Sequence, residues 1–148
     1  MKILYSAFEC NPAIGSDAYV GWSWAKSMSL KQDVHVLTNE GNQKDIEKYL
    51  EKNEGINATF HYISVPRILG KVLKGRKFYF ASYVIWQWYA YKEAKKLNKK
   101  EHFDIVHHVA IADFRNMGFL WKLDTPFIFG PVGGSRDSLR IEGLCTEI

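Results

Sequence analysis

Three short runs, each at or beyond the end of an apolar segment, combine glycine, histidine, hydroxyl or carboxylate residues. They are Gly15-Ser16-Asp17, His107-His108 and Gly130 to Ser135. Glycine lets backbone N–H groups approach a ligand closely, which suits the oxygens of a diphosphate. A histidine can exchange a proton near neutral pH or hold a polar group by hydrogen bonds. A glycine loop by itself is equally compatible with a plain turn, so the interest lies in whether the three runs meet.

The elements that must position these runs are strands alternating with helices. Strands are predicted at Ile3 to Phe8, Asp33 to Thr38, Ala58 to Val65, Phe103 to Val109 and Thr125 to Phe129. Helices are predicted after Ser16, from Asn42 to Asn53, from Phe78 to Lys100 and from Ala112 to Leu123. This alternation predicts an α/β fold, a Rossmann-like doubly wound parallel sheet with helices on both faces. Because the carboxyl ends of parallel strands share one edge, the three runs are expected to line one cleft.

Helical spacing also predicts which side chains face the sheet. In the first helix, which Ser16 or Asp17 is placed to cap, they are Val20, Trp24, Ala25 and Met28. In the long third helix, the predicted inward stripe is Ala81, Val84, Ile85, Trp88 and Tyr91. Another side of that helix carries Tyr79, Tyr83, Trp86 and Ala90, which packing on one sheet does not require. In the last helix, the predicted inward residues are Phe114, Met117, Leu120 and Trp121.

The positive charge of the chain is concentrated in one segment. Between Pro66 and Lys100 there are ten Lys or Arg residues and one acid, a net charge of +9, whereas the remainder carries −5. The same segment is rich in aromatic residues but too short in apolar length to cross a bilayer, which takes ~20 residues. Residues 67–100 therefore predict peripheral contact with a membrane or with a second domain, and a solvated helix surface is the alternative. Nucleic acid is disfavoured because no nucleic-acid motif accompanies the charge.

Composition narrows the class of protein further. A length of 148 residues suits one domain, over 1–148. Cys10 and Cys145 give neither a disulfide framework nor a metal-ligand spacing, so we expect no metal and a reducing, cytoplasmic setting. Met1 leads directly into the first strand, so no signal peptide is expected. The absence of G-x-G-x-x-G disfavours an NAD-type cofactor, and the absence of G-x-x-x-x-G-K-[ST] excludes a P-loop.

Two further side-chain positions follow from the strand and helix pattern. If His107 and His108 both belong to a strand, they face opposite sides of the sheet, so at most one reaches the cleft. Arg115, close to Asp113, is expected to begin the next helix from the same edge. It could hold an anionic or hydroxylated group, or it could form an ordinary surface ion pair.

The motifs of the chain resemble those of family 4 glycosyltransferases over nearly its whole length. The matching runs are Cys10 to Asp17, Gly21 to Ala25, His35 to Thr38, Asp104 to His108, Phe114-Arg115 and Pro126 to Gly134. This sequence departs from the common pattern of the family at three points. Asp17-Ala18-Tyr19 stands where Glu-Pro-Gly is common, Val109 stands where many members have a histidine, and Ser135 stands where a third glycine is common. With Val109 in the place of that histidine, both His107 and His108 stay candidates for the catalytic one.

The resemblance implies a GT-B architecture, in which two Rossmann-like domains flank a cleft and the first mainly binds the acceptor. Gly15, Ser16 and Asp17 would approach the donor diphosphate, and Gly133, Gly134 and Ser135 would line the cleft with Arg115. The expected function is transfer of a sugar, with retention, from a nucleotide-sugar donor to a saccharide or lipid-linked acceptor, in surface polysaccharide or glycoconjugate synthesis.

The same resemblance implies that this chain needs a partner. The donor-binding acidic pair of the family lies in the second domain, which is missing from these residues, so we expect the chain alone to be inactive. The expected location is the cytoplasm, at the inner face of the membrane if peripheral contact occurs. Two alternatives stay open: a non-catalytic Rossmann-like binding or partner module, and an unrelated nucleotide-dependent Rossmann enzyme.

Overall fold

A computed structural model describes residues 1–66, 78–111 and 115–133 of the chain. The strands are β1 (Lys2–Ala7), β2 (Asp33–Asn39), β3 (Ala58–Ile63), β4 (Ile105–Ala110) and β5 (Phe127–Phe129). The α-helices are α1 (Asp17–Ser29), α2 (Gln43–Leu50) and α3 (Tyr79–Glu101), with 3₁₀ turns at Glu40–Asn42 and Leu120–Lys122. Each predicted strand is present, although β3 and β5 are shorter than the sequence predicts. The basic stretch 67–77 and the tail 136–148 lie outside the described residues.

The five strands form one parallel sheet in the order β3-β2-β1-β4-β5, so the predicted fold class is confirmed. The chain runs outward from β1 to β3 and then returns through α3 to β4, on the other side of β1. The strand order therefore reverses between β1 and β4. In open α/β sheets, the crevice beyond the carboxyl ends of the strands at such a reversal is where ligands bind.

Both faces of the sheet are covered, because alternate side chains of each buried strand enter different cores. On one face Leu4 and Val106 pack against the buried side of α3. On the other face Ile3 and Tyr5 pack with residues of α1 and α2, including Ile46, which is fully buried. The prediction of helices on both faces is thus confirmed.

The predicted inward side of α1 is only partly right. Ala25 is buried, but Val20 and Trp24 are 37% and 38% exposed. The inward residues are Ala18, Gly21, Trp22, Ala25 and Ser29. The reason is close packing against the loop after β1, since a Cβ at Gly21 would collide with the carbonyl oxygen of Glu9. Helix α1 is therefore rotated so that its glycine, and not a large side chain, meets that loop.

The predicted inward stripe of α3 is wrong except at Tyr91, which is partly buried against the core. Val84 and Trp88 are 40% and 43% exposed. The inward residues are Tyr83, Trp86, Gln87, Ala90 and Ala94. Phe8, at the end of β1, selects this side because its ring lies 5.1 Å from the ring of Tyr83 and 5.0 Å from that of Trp86. Both sides of the helix are apolar, so spacing alone did not distinguish them.

The predicted helix from Ala112 to Leu123 is wrong over the described part of that range. Residues 115–119 are not helical, and only Leu120–Lys122 forms a 3₁₀ turn. Leu120 is buried as predicted, whereas Met117 and Trp121 are 45% and 51% exposed. Gly118 adopts φ +69°, a left-handed conformation that interrupts a helix. Phe114 lies outside the described residues.

Candidate functional site

The sequence-predicted runs come to the carboxyl edge of the sheet, which we call the rim. Gly15 and Ser16 follow β1, His107 and His108 lie near the end of β4, and Gly133 follows β5. Arg115 is exposed in a turn after β4 and does not begin a helix, contrary to the prediction. Gly134 and Ser135 lie outside the described residues. The topology thus brings the described members of all three runs to one edge, while their roles stay predictions.

His107 joins the loop after β5 to the α1 face of the sheet. Its Nε2 lies 2.7 Å from the carbonyl oxygen of Gly130, so Nε2 carries the proton and donates it. The ring packs on Tyr5 at 5.3 Å and meets the ring of Trp24 edge-on at 5.2 Å. Burial lowers the pKa of His107 below its ordinary value, and the Gly130 carbonyl opposes that shift. At neutral pH the side chain is therefore an uncharged donor that holds Gly130 in place.

His108 faces the opposite side of the sheet, as predicted. It is 2% exposed, and its Nε2 shares a 3.0 Å hydrogen bond with the hydroxyl of Tyr83. Burial lowers the pKa of His108 to about 4, and the nearby His107 lowers it further. His108 is thus neutral and enclosed under α3. Neither histidine side chain stands in the open crevice.

The first half of the loop after β1 is fixed by buried amides. Asn11 is 1% exposed; its Oδ1 accepts from the backbone N–H of Ala13 at 2.8 Å, and its Nδ2 donates to Asp45 at 2.9 Å. Asn42 donates from its Nδ2 to the carbonyl oxygen of Phe8 at 3.0 Å. Asp45, the partner of Asn11, and Asn42 both lie on the segment after β2. Local sequence patterns give no sign of them.

The second half of this loop is open to solvent. Gly15 has no neighbouring atom within 4 Å of the position where a Cβ would stand, and its φ is not in the left-handed region. The fold therefore does not require glycine here. Ser16 precedes α1 with φ 60° and ψ −140°, and its side chain makes no capping hydrogen bond. Capping by Ser16 or Asp17 was wrong, because Asp17 is already helical and Ser16 lacks the β-region backbone of a normal cap.

A carboxylate–phenol pair, which the sequence analysis missed, links the loop after β1 to α3. The hydroxyl of Tyr79 donates to Oε1 of Glu9 at 3.0 Å, and the Tyr79 ring lies edge-on to Phe8 at 6.0 Å. Burial, together with the charge of Glu9, raises the pKa of Tyr79 above its ordinary value. The phenol of Tyr79 therefore stays neutral beside Glu9, near the point where the strand order reverses. Its only sign in the sequence is an acid that directly follows a buried strand.

A second histidine pair lies between β2 and the edge strand β3, and it was also missed. Nδ1 of His35 on β2 is 3.0 Å from Nε2 of His61 on β3, and the rings are stacked. Burial lowers the pKa of both side chains, so the pair is neutral and one ring donates to the other. Across the ranges 1–66, 78–111 and 115–133, no group of three or more His, Cys, Asp or Glu side chains could hold a metal ion.

Comparison with known proteins found no matching family model, no matching curated protein and no matching solved structure. The Rossmann-like α/β fold is therefore established by the strand order and directions. The resemblance to family 4 glycosyltransferases rests on the motifs quoted above.

Proposed function

We propose that this chain is the acceptor-side, N-terminal Rossmann-like domain of a retaining glycosyltransferase that uses a nucleotide-activated sugar. The observation that carries the proposal is that two glycine-containing loops follow strands at the same rim, on either side of the reversal of strand order. The loop containing Gly15 follows β1, and the Gly130 to Gly133 turn follows β5, with His107 joining that turn to β4 and α1. Backbone N–H groups offered by two glycine loops at one rim would suit a charged and hydroxylated substrate.

The donor diphosphate would approach the loop after β1. Gly15 is exposed in open space, and the 13-residue α1 begins two residues later. The amino end of a helix carries a partial positive charge that favours anions. The fold does not require glycine at position 15, but a ligand that must come close to the backbone would require it. Ser16, with its hydroxyl not used as a cap, would contact the diphosphate, and Asp17 would accept hydrogen bonds from sugar hydroxyls.

The acceptor would lie along the crevice between β1 and β4. Glu9 and Tyr79 offer a carboxylate and a phenol to acceptor hydroxyls, and the half-exposed Trp24 offers an aromatic face. Gly133 is exposed beside this crevice, and Arg115 lies in the turn after β4. Both would line the cleft in this proposal. A saccharide or a lipid-linked saccharide presents the required combination of hydroxyls and apolar ring faces.

Transfer breaks the bond between the sugar's anomeric carbon and the diphosphate oxygen and forms a bond to an acceptor oxygen on the same face. The acceptor hydroxyl passes its proton to the departing diphosphate, which carries the negative charge that develops as the bond breaks. Preorganised backbone dipoles that stabilise this charge are the main catalytic contribution in the proposal. His107 would act at the rim by positioning Gly130, since His108 is enclosed under α3. A second domain must hold the nucleotide, so the present chain binds weakly and does not turn over.

Calorimetric titration of the chain with UDP-glucose, GDP-mannose and NAD tests the proposal. We expect weak binding of a nucleotide sugar and none of NAD. Gly15→Asp should abolish this binding, because it places a charge against the diphosphate, whereas Ser27→Asp on the exposed side of α1 should not. Clear NAD binding would favour an unrelated Rossmann enzyme, and no binding of any nucleotide would favour a non-catalytic partner module.

A further inference from the structure

The solvent side of α3 carries a stripe whose character changes along the helix. Its members recur at intervals of three or four residues and are all exposed: Ala81, Val84, Trp88, Lys92, Lys95 and Lys99. The first half is therefore apolar and the second half is basic. We call these six residues the outer stripe.

The turn before β5 extends the apolar half of the outer stripe. The ring of Phe119 lies edge-on to Trp88 at 5.6 Å, and Met117 and Trp121 are 45% and 51% exposed. Helix α3 and the 117–122 turn therefore form one continuous aromatic surface.

Lysine ammonium groups lie directly over these rings. The Nζ of Lys92 is 5.4 Å from the ring centroid of Trp88. The Nζ of Lys122 is 5.5 Å from that of Phe119 and 5.4 Å from that of Trp121. Each lysine thus keeps its charge at the same depth as an exposed ring, where a cation is attracted to the ring face. The surface is aromatic and cationic at the same points.

The charge of this surface is positive. Lys95 and Lys99 continue the basic half of the outer stripe, while the acid Glu93 already receives a hydrogen bond from Lys96 at 2.9 Å. The other acids nearby in sequence are Glu101, which is paired with Lys2 and Lys100, and Asp124, which follows the turn. A binding partner for this surface is therefore expected to be anionic and to offer an apolar region in which the aromatic side chains can be buried.

We propose that the outer stripe and the 117–122 turn dock on an anionic lipid membrane, with α3 lying in the plane of the interface. A protein partner is less suited, because the centres of protein interfaces are depleted of lysine, whereas lysines lie over these rings. Tryptophan and lysine side by side are typical of the lipid headgroup region, where rings enter and ammonium groups meet phosphate. In the described part of the chain, no helix is long and apolar enough to cross a membrane.

Membrane docking would bring the rim close to the lipid headgroups. Helix α3 begins at the rim, where Tyr79 bonds to Glu9, and its outer stripe starts two residues later. A lipid-linked acceptor could then reach the crevice without leaving the bilayer. The docking inference does not depend on sugar transfer, because it follows from the surface alone.

Co-sedimentation of the full chain with vesicles tests the docking surface. We expect binding to phosphatidylcholine vesicles that contain phosphatidylglycerol, none to pure phosphatidylcholine, and release by salt. The triple variant K92Q/K95Q/K99Q should lose on the order of 100-fold in partitioning, at about fivefold per lysine. The matched control is K44Q/K48Q/K52Q, three exposed lysines on and after α2, which should bind like the native chain.

Quenching of tryptophan fluorescence by lipids brominated near the headgroup tests the rings directly. The native chain should be quenched, and W88F/W121F should not, although Trp22, Trp24 and Trp86 remain. Sedimentation of W88F/W121F shows whether that variant still reaches the vesicle. Nucleotide-sugar titration of K92Q/K95Q/K99Q should match the native chain, which separates a failure of docking from a failure of the proposed function.

Three results would each overturn the docking proposal. They are no binding to anionic vesicles at low salt, equal binding to neutral and anionic vesicles, and unchanged binding of K92Q/K95Q/K99Q. The first would leave a protein domain as the partner of this surface.

Discussion

The two faces of the sheet are stabilised by different chemistry below the same rim. On the α1 face, the buried amides of Asn11 and Asn42 are hydrogen-bonded to Asp45 and to the carbonyl of Phe8. Gly21 allows backbone to approach backbone at that face. Directional bonds and close contacts therefore fix the position of the loop after β1.

On the α3 face, aromatic rings do most of the packing. Phe8, Tyr83 and Trp86 form one cluster, with Trp86 fully buried. The indole N–H of Trp86 and the amide of Gln87 have no hydrogen-bond partner within the described ranges. The comparison shows that hydrogen-bonded polar groups fix the position of the loop after β1 on the α1 face. The α3 face gains free energy from burial and carries unpaired polar atoms as a cost.

Removing the central ring of the α3 face should have the largest effect. Trp86→Ala deletes a fully buried ring and leaves a cavity, so we expect a loss of about 3–5 kcal/mol in the free energy of unfolding. Trp88→Ala, on the exposed side of the same helix, should cost less than about 1 kcal/mol. Urea unfolding monitored by circular dichroism measures both variants. Equal losses would mean that the sides of α3 are assigned wrongly.

The α1 face should be broken most severely at Gly21. Gly21→Ala places a Cβ against the carbonyl oxygen of Glu9, so we expect a loss of about 2–3 kcal/mol in the free energy of unfolding. Gly15→Ala, in the same loop–helix unit, meets no atom and should leave stability unchanged within about 0.5 kcal/mol. Thermal melts of the pair check this contrast. A strongly destabilised Gly15→Ala would contradict the conclusion that the fold does not need this glycine.

The pH dependence of stability should follow the buried histidines. The pKa of His108 is lowered to about 4 from an ordinary value of 6.5, so the unfolded chain binds its proton first. This stability is complete above the unfolded pKa and is lost as pH falls from about 6.5 towards about 4. We expect His108 to account for about 2 kcal/mol between about pH 7 and about pH 5.

His107, His35 and His61, whose pKa values are also lowered, should add to the same slope. Urea unfolding of His108→Asn at the two pH values should show a smaller difference than in the native chain. The control, His102→Asn, changes an exposed residue in a left-handed conformation that asparagine tolerates, and it should keep the native slope. An unchanged slope in His108→Asn would contradict the enclosed position of that ring.

The smallest expected effect is a gain in stability. Gln87→Leu replaces a buried amide that lacks a partner among the described residues by an apolar side chain of similar length. We expect an increase of about 1 kcal/mol in the free energy of unfolding. The corresponding change on the other face, Asn11→Leu, should instead be destabilising, because it leaves the N–H of Ala13 and the carboxylate of Asp45 without their bonds. A destabilised Gln87→Leu would show that the amide has a partner in the folded protein.

Much of the fold could be predicted from the sequence, because it depends on local patterns. Short apolar runs separated by helix-length segments predicted five strands, and a period of two predicted that His107 and His108 face opposite sides. The rotation of the helices could not be predicted, because it depends on distant contacts. Gly21 faces inward because it meets Glu9, and Trp86 faces inward because Phe8 lies beneath it.

The site was predictable only at the level of its edge. The parallel arrangement of the strands predicted that the loops after β1, β4 and β5 lie at one edge. The hydrogen bond between His107 and Gly130 could not be predicted, because the two residues are 23 positions apart in sequence. The Glu9–Tyr79 pair crosses 70 residues, and no local pattern marks it. The turn at 115–119 was misassigned because apolar spacing outweighed one glycine, Gly118.

The shortness of β5 has a consequence for how the rim responds to a substrate. This strand has three residues and pairs with β4 alone among the described strands, so its amides can open without disturbing the rest of the sheet. Its deuterium uptake should accordingly be the fastest of the five strands. The turn after β5 would then adjust to a bound ligand, while the loop after β1, which Asn11 holds by hydrogen bonds, would keep its conformation.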